Sequence, residues 1–306
     1  MREVTLYVGC LKRLYLSTNK FRRNVVSKEM KEVKDLVQGT LLDRLTQHNL
    51  ELQMKAKETY EGLTYKTKGY GDVTVVNYVT NKEVYVVFKN TGSLVRTRMG
   101  NLLKGAVKDH MMPTVHGVGI TGNVVTKHNG KHIPSYRLWQ SVIQRCYSER
   151  VKLKHKAYSN CEVSDNFKYY PNFKEWCENQ IGFNRVDDKG DSFHLDKDLL
   201  SNESKIYSEH NCCFIPREIN TAIIKSHVES KSPRTGVCFY RGKFVSRVSK
   251  FNVCIKLGNF DTEQEAFLVY KEAKESYIKE MAEKWKDQID PRVYEALMKY
   301  EVTSQN

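Results

Sequence analysis

The chain has 306 residues and a formal charge of +14, from 50 Lys and Arg against 36 Asp and Glu. Apolar residues make up 40% and charged residues 28%, which excludes collagen-like and disordered compositions and suits about two packed domains. No run of about 18 apolar residues occurs, so no membrane-spanning helix is expected.

The eight cysteines (10, 146, 161, 177, 212, 213, 238, 254) form no Cys-x-x-Cys pair, so a zinc ribbon or finger is not expected. Cys212 and Cys213 are neighbours on a strand pattern and face opposite sides, which argues against a shared metal. Arg2 and Glu3 are not followed by a sustained apolar core, so no secretory leader is expected. A reducing cytoplasm with free thiols is the simplest setting.

In chain order, Val4 to Val8 is a short apolar start, followed by a basic segment with Lys12, Arg13 and Lys20. A helix is predicted from Ser27, its N-cap, with Met30, Val33, Leu36 and Val37 on one face and Leu41, Leu42 and Leu45 continuing it. A second helical piece covers about 50–59. The period then switches: 72–78 and 83–88 are β-rich runs joined at Thr80-Asn81-Lys82, and Ser93 to Arg98 is a third strand. A small curved sheet or SH3-like barrel fits. Arg96 and Arg98 alternate with Val95 and Thr97 and so share one face, either simply solvated or contacting phosphate. Residues 104–119 read as a glycine-rich linker.

Leu138, Trp139, Val142, Ile143 and Cys146 mark an amphipathic helix, and Phe167, Tyr170, Phe173 and Trp176 are aromatics expected to pack beneath the strands and helix of 193–224. Residues 193–200 read as a strand ending in acidic residues. A polar turn spans 201–205, a return strand runs from about Ile206 to Ile215, and a helix begins at Pro216. After a polar linker at 230–233, three strands cover 236–260. A helix from about Glu263 to Met281 comes next, entered through Asp261-Thr262-Glu263. From Lys231 to Lys256 there are seven basic residues and no acidic one, a clustering that favours a polyanionic partner. A closing helix carries Val293, Ala296, Leu297 and Tyr300.

The order Leu195-Asp196-Lys197-Asp198, Tyr207-Ser208, Asn211-Cys212 and Ile219-Asn220 resembles the HNH (ββα-metal) nuclease family in its phage subgroup. The preceding Trp139…Arg145-Cys146-Tyr147 and Asn172-Phe173-x-x-Trp176 strengthen that likeness, and Gly69 to Gly119 resembles the small barrel that precedes such modules. The resemblance implies Asp196 and Asn220 as ligands of one Mg2+ or Mn2+ ion per site, and Asn211 as the brace of the hairpin. Oxygen donors suit such an ion. Lys197 stands where the family has its water-activating His. Lysine is charged near neutrality and would be repelled by the ion, so Lys197 is expected to turn toward a DNA phosphate. His194, Asp198 and His210 are the candidates to activate water in its place. Without a base, cutting would be slow and rise toward alkaline pH, and Lys197→His would speed it.

The three strands and helix after residue 235 resemble the Apetala-type (ethylene-response factor) DNA-binding domain, through Gly236-Val237 and Leu257-Gly258-x-Phe260-Asp261-Thr262-x-x-x-Ala266. That likeness implies a sheet in the major groove, with Arg241, Lys243 and Arg247, then Phe239 and Lys256, touching DNA.

The expected fold is α+β in four parts: an N-terminal helical segment (1–59), a small SH3-like β-barrel (60–120), an HNH ββα-metal module (121–229) and a three-stranded sheet plus helix DNA-binding domain (230–306). The expected function is a site-directed, divalent-metal-dependent DNA endonuclease of the phage homing type, acting on double-stranded DNA in an infected bacterial host's cytoplasm. It would need no membrane and no small-molecule cofactor. A non-cleaving DNA-binding protein with a degenerate HNH fold is the alternative, and an RNA-binding module built on the barrel is a third.

Overall fold

The computed structural model describes residues 41–201, 204–223, 235–251 and 253–303. The expected helix from Ser27, the basic segment before it, Asn202 and Glu203 of the polar turn, and the 230–233 linker with Lys231 and Arg234 lie outside them. The chain is α+β and falls into two compact units, residues 1–109 and 110–306. Among the described residues no helix is long and apolar enough to cross a membrane.

In the first unit a helix, α1 (Leu41–Tyr60), precedes strands β1 (Thr64–Lys66), β2 (Asp72–Thr80), β3 (Glu83–Phe88) and β4 (Leu94–Thr97), and a short helix, α2 (Met99–Leu103), comes after them. The strands form an antiparallel sheet in the order β1-β2-β3-β4. The expected barrel is therefore not present. β1 and β4 remain separate edges, and with three and four residues they are too short to bend round to each other. One face is buried: Val73, Val75 and Tyr78 of β2 meet Val84, Val86 and Phe88 of β3, under Met99 and Leu102. A register shift between Val75 and Asn77 changes which parity points inward, so Tyr78 is buried while Val76 is exposed.

In the second unit, hairpins β5 (Pro113–Val115)/β6 (Gly119–Ile120) and β7 (Lys127–His128)/β8 (Lys131–His132) lead into helices α3 (Pro134–Tyr147) and α4 (Glu149–Lys154). Then come β9 (Glu162–Val163), α5 (Asp165–Lys168) and α6 (Tyr170–Glu178). The stretch expected to be a linker thus supplies β5 and β6, and Gly119 lies where any β-carbon would be 3.0 Å from the Trp139 ring. Trp139 is fully buried and its indole N–H donates to the Phe167 carbonyl at 2.7 Å.

The site-bearing stretch consists of β10 (His194–Asp196), β11 (Ile206–Tyr207), β12 (Cys213–Ile215) and α7 (Arg217–Ile223). β10 pairs antiparallel with β12, His194 opposite Ile215 and Asp196 opposite Cys213. The return strand expected over 206–215 is split. β11 pairs in parallel with β9 instead, and the Ser208–Cys212 turn, closed by a 2.9 Å bond from the Cys212 N–H to the Ser208 carbonyl, separates it from β12. Beneath lie the aromatics: Phe167, Phe173 and Tyr170 are fully buried and Trp176 stacks on Phe214, ring centres 6.0 Å apart. Each such ring contributes about 1.5–3 kcal/mol, more than the exposed ion pairs around them at about 0–1.

The last elements are strands β13 (Val237–Tyr240), β14 (Lys243–Lys250) and β15 (Val253–Phe260), an antiparallel sheet in that order, and helices α8 (Glu263–Trp285) and α9 (Pro291–Met298). Gly236 has φ +78, and a β-carbon there would sit 2.1 Å from the Tyr270 ring, so only glycine brings β13 this close to α8. Thr262 and Glu265 form a reciprocal capping box at the start of α8. The helix serves two cores. Ala266, Phe267 and Tyr270 cover the sheet, while Tyr277, Ile278, Met281, Ala282 and Trp285 join the core that holds Phe214, Ile215 and Ile219.

Candidate active site and basic sheet face

Asp196 ends β10. Its Oδ1 accepts the backbone N–H groups of Asp198 (3.0 Å) and Leu199 (2.8 Å), an Asx turn that steers the chain out of the strand. Oδ2 has no hydrogen-bond partner among the described residues. Burial pushes the Asp196 carboxyl up, with the Leu199 N–H pulling the other way. His194, two residues upstream, shares the strand face of Asp196. Its Nδ1 lies 3.0 Å from Nδ2 of Asn220 on α7, and the Asn220 oxygen is free of hydrogen bonds among the described residues. The Asn220 N–H is held by the Pro216 carbonyl at 3.0 Å, so Pro216 stands just before the first turn of α7 and fixes where Asn220 falls.

The structure thus joins His194 to Asn220 across the strand–helix junction, with Asp196 two residues along the same strand face as His194. It sends Lys197 elsewhere. Lys197 is 7% exposed, pairs with Asp198 and lies over the Tyr207 ring at 5.7 Å. The expectation that it turns to a DNA phosphate is corrected, because in the bend that follows β10 its side chain is buried over Tyr207. A histidine at 197 would start from the same buried direction, so the expected gain from Lys197→His loses its basis. Asp198 is exposed but committed to Lys197. His210 is exposed on the turn before Asn211.

Asn211 donates from Nδ2 to the Ser204 hydroxyl and the Ile206 carbonyl, both at 3.1 Å, and its own N–H meets the Ser208 hydroxyl at 3.3 Å. One side chain thereby ties the segment leaving the polar turn to the start of β12. Cys212 and Cys213, the next two residues, are buried, and burial pushes the Cys212 thiol up to about 12.

Among the described residues no group of three or more His, Cys, Asp and Glu is placed to hold a metal ion. The expected pair differs in kind: a carboxylate oxygen and an amide oxygen, both without hydrogen-bond partners among the described residues. Such hard donors fit a cation that keeps most of its waters or takes phosphate oxygens.

On the C-terminal sheet the register divides the expected DNA contacts. Phe239 pairs with Phe244, their rings 4.9 Å apart, and Phe244 packs on the core under α8, so Phe239 belongs to the helix-facing side. Arg247 and Lys256 are directly opposite each other on the other face, both exposed, with no ion pair among the described residues. Like charges so placed are mutually destabilising. Lys243 pairs with Asp261. Arg241 occupies the two-residue turn at φ +49 beside Gly242 at φ +77, a left-handed pair suited to a tight hairpin, with its guanidinium 5.2 Å from the Tyr240 ring centre. In the first unit Arg96 pairs with Glu83 at 3.1 Å, and Arg98 is exposed just past β4.

Sequence reasoning missed two features of this region. Tyr207 lies beneath Lys197, and Arg217 at the start of α7 binds Asp191 at 2.8 Å. The only signal for the second was an arginine directly after the helix-starting proline. Comparison with protein-family models, with curated proteins and with solved structures finds no match for the chain.

Proposed function

We propose that the chain is a divalent-metal-dependent DNA endonuclease of the HNH type, its site built on β10, β12 and α7 and its DNA grip on an Apetala-type sheet, β13–β15. The observation that carries the proposal is the His194–Asn220 contact between β10 and α7, with Asp196 on the same strand face as His194 and with Asp196 and Asn220 each offering an oxygen without a hydrogen-bond partner among the described residues. Asp196 and Asn220 would hold one Mg2+ or Mn2+ ion, which when bound supplies positive charge to the scissile phosphate and the leaving oxygen. Asn211 fixes the hairpin. His194 orients or moves a proton beside the ligands. The opposed Arg247–Lys256 pair supports an anionic partner for the sheet, because a phosphate between them turns repulsion into attraction. A phage homing enzyme working in a bacterial cytoplasm suits this reading.

Supercoiled plasmid incubated with Mg2+ or Mn2+, against a chelator control, tests it. Nicked circles are expected from the wild type and none from Asp196→Ala or Asn220→Ala, while gel shifts in chelator stay unchanged for all three. Unchanged cleavage in either variant would refute the assignment. A second reading, a DNA-binding protein that does not cut, is favoured by the burial of Lys197 at the family's base position. It becomes the better one if the wild type binds DNA but cuts with neither metal.

A further inference from the structure

A cavity of about 290 Å³ opens between the Asp187–Asp191 turn, α7, the end of the β14–β15 hairpin and α8. Three carboxylates reach it: Asp191 and Glu218 are paired with cations, and Asp187 is held by backbone N–H groups. Asp187 accepts the backbone N–H groups of Lys189 (2.9 Å) and Asp191 (2.8 Å). Asp191 binds Arg217, and Glu218 accepts from Lys284 (2.6 Å) and the Trp285 indole (3.1 Å). One lining cation is left over in a half-buried place: Lys274 of α8 has neither ion pair nor hydrogen bond among the described residues. Burial alone holds its ammonium below the ordinary value. Lys189 and the Ser249 hydroxyl also line the cavity, without side-chain partners among the described residues.

We propose that this cavity binds a phosphate group, with Lys274 as its principal cation and Lys189 and Ser249 as further donors. A half-buried ammonium without a partner is costly, and an anion removes that cost. Donors that line one cavity from different elements suit a group with three or more acceptor oxygens better than a planar carboxylate. α7 borders the cavity and also carries Asn220, so on the nuclease reading, on which this identification of the occupant rests, the phosphate belongs to the DNA backbone close to the cut. A free phosphate or phosphate ester shares the chemistry.

The test uses the full chain in chelator, so that no cleavage is needed. Binding of a short duplex is followed by fluorescence anisotropy across a KCl series for wild type, Lys274→Met and Lys274→Arg. In parallel, inorganic phosphate is titrated while the Lys274 side-chain NMR signals are observed. Lys274→Met keeps the stem and is expected to weaken DNA binding about three- to tenfold, with the log–log salt slope reduced by about one unit, while Lys274→Arg keeps both. Urea midpoints show whether each variant is folded. A Lys274 signal that moves with phosphate, joined to a lost salt slope, identifies a backbone phosphate. Movement without slope loss identifies a small phosphate ligand and still supports the cavity. An unmoved signal together with an unchanged slope overturns the proposal. If the wild type never cuts but these effects appear, the nuclease reading fails and the phosphate cavity stands. If it cuts and they are absent, the reverse holds.

Discussion

Replacing Lys197 by Met removes an ammonium that is 7% exposed and keeps most of the stem's volume. The ion pair with Asp198 is worth little, because the Asp198 side chain is 71% exposed and stays hydrated when its partner goes; such pairs contribute about 0–1 kcal/mol. The ammonium over Tyr207, 5.7 Å from the ring centre, adds about 0.5–2 kcal/mol. Against both stands the cost of dehydrating a cation, which Met avoids. The terms are similar in size, so unfolding free energy is expected to change by no more than about 1 kcal/mol in either direction. Burial pushes the Lys197 ammonium down, but Asp198 outweighs it and the net shift is upward from 10.5. A raised value means the ionic contribution is complete below the unfolded pKa and is lost as pH climbs through the folded one. The difference between wild type and variant should therefore be flat from about pH 6 to about pH 9 and change only above that. Urea unfolding across this range, beside plasmid cleavage at pH 7, checks the reasoning. A loss above about 3 kcal/mol would mean that the pair is part of a larger buried network. Cleavage lost with fold and DNA binding intact would give Lys197 a chemical role that its burial argues against.

Asn211→Ala removes two hydrogen bonds that tie Ser204 and Ile206 to the start of β12, and should lower the urea unfolding free energy by about 1–2 kcal/mol; an unchanged midpoint would show that it is no brace. Arg247→Ala and Lys256→Ala should each act with opposite signs. Fold stability holds or rises by a few tenths of a kcal/mol as the cross-strand repulsion is relieved, while duplex affinity falls and the salt slope drops by about one unit. Equal loss of both properties would assign the pair to the fold alone. Asn220→Asp should retain cleavage where Asn220→Ala does not, with a pH–rate profile shifted from the wild type's; loss in both would mean that the amide itself is required.

The parts of the fold legible in the sequence were local. The Thr262 cap, the helix after it and the apolar alternation of β2 and β3 each arise from residues within one or two turns of chain. The parts that were not legible depended on partners far away. Whether β1 and β4 close a barrel is set by edge lengths and curvature, which the alternation does not encode. Ile206 to Ile215 carries enough apolar residues for one strand, and only the competing bonds of the Ser208–Cys212 turn, with β9 available to pair β11, break it in two. The Arg96–Glu83 pair needed the β3–β4 register. Lys197 is the instructive case. It lies in the bend after β10, where the Asp196 turn takes the chain out of the strand, and it is buried over Tyr207 rather than offered to solvent as its family position implies.

The His194–Asn220 contact limits how the proposed site can work. An amide NH2 only donates, so with Nδ2 toward the ring, Nδ1 must accept and a neutral imidazole carries its proton on Nε2. In that state the Asn220 oxygen is free to meet an ion, but Nε2 cannot take a proton from water. Turning the amide over reverses the imidazole: the oxygen accepts from Nδ1–H with one lone pair, Nε2 gains a free lone pair, and only the second lone pair of that oxygen is left for the ion. With the amide NH2 toward the ring Asn220 leaves His194 without a base at Nε2, whereas turned over it orients a basic His194 and reaches an ion only through the second lone pair of the same oxygen. An aspartate at 220 has only acceptors, so it holds Nδ1–H, frees Nε2 and keeps a second oxygen for the ion. Its effect on the pH–rate profile therefore reports which role the asparagine performs. If the amide NH2 faces His194, the wild-type rate tracks hydroxide and rises into the alkaline range, whereas the rate of Asn220→Asp depends less on hydroxide. If Asn220 already orients His194, the two profiles share one shape.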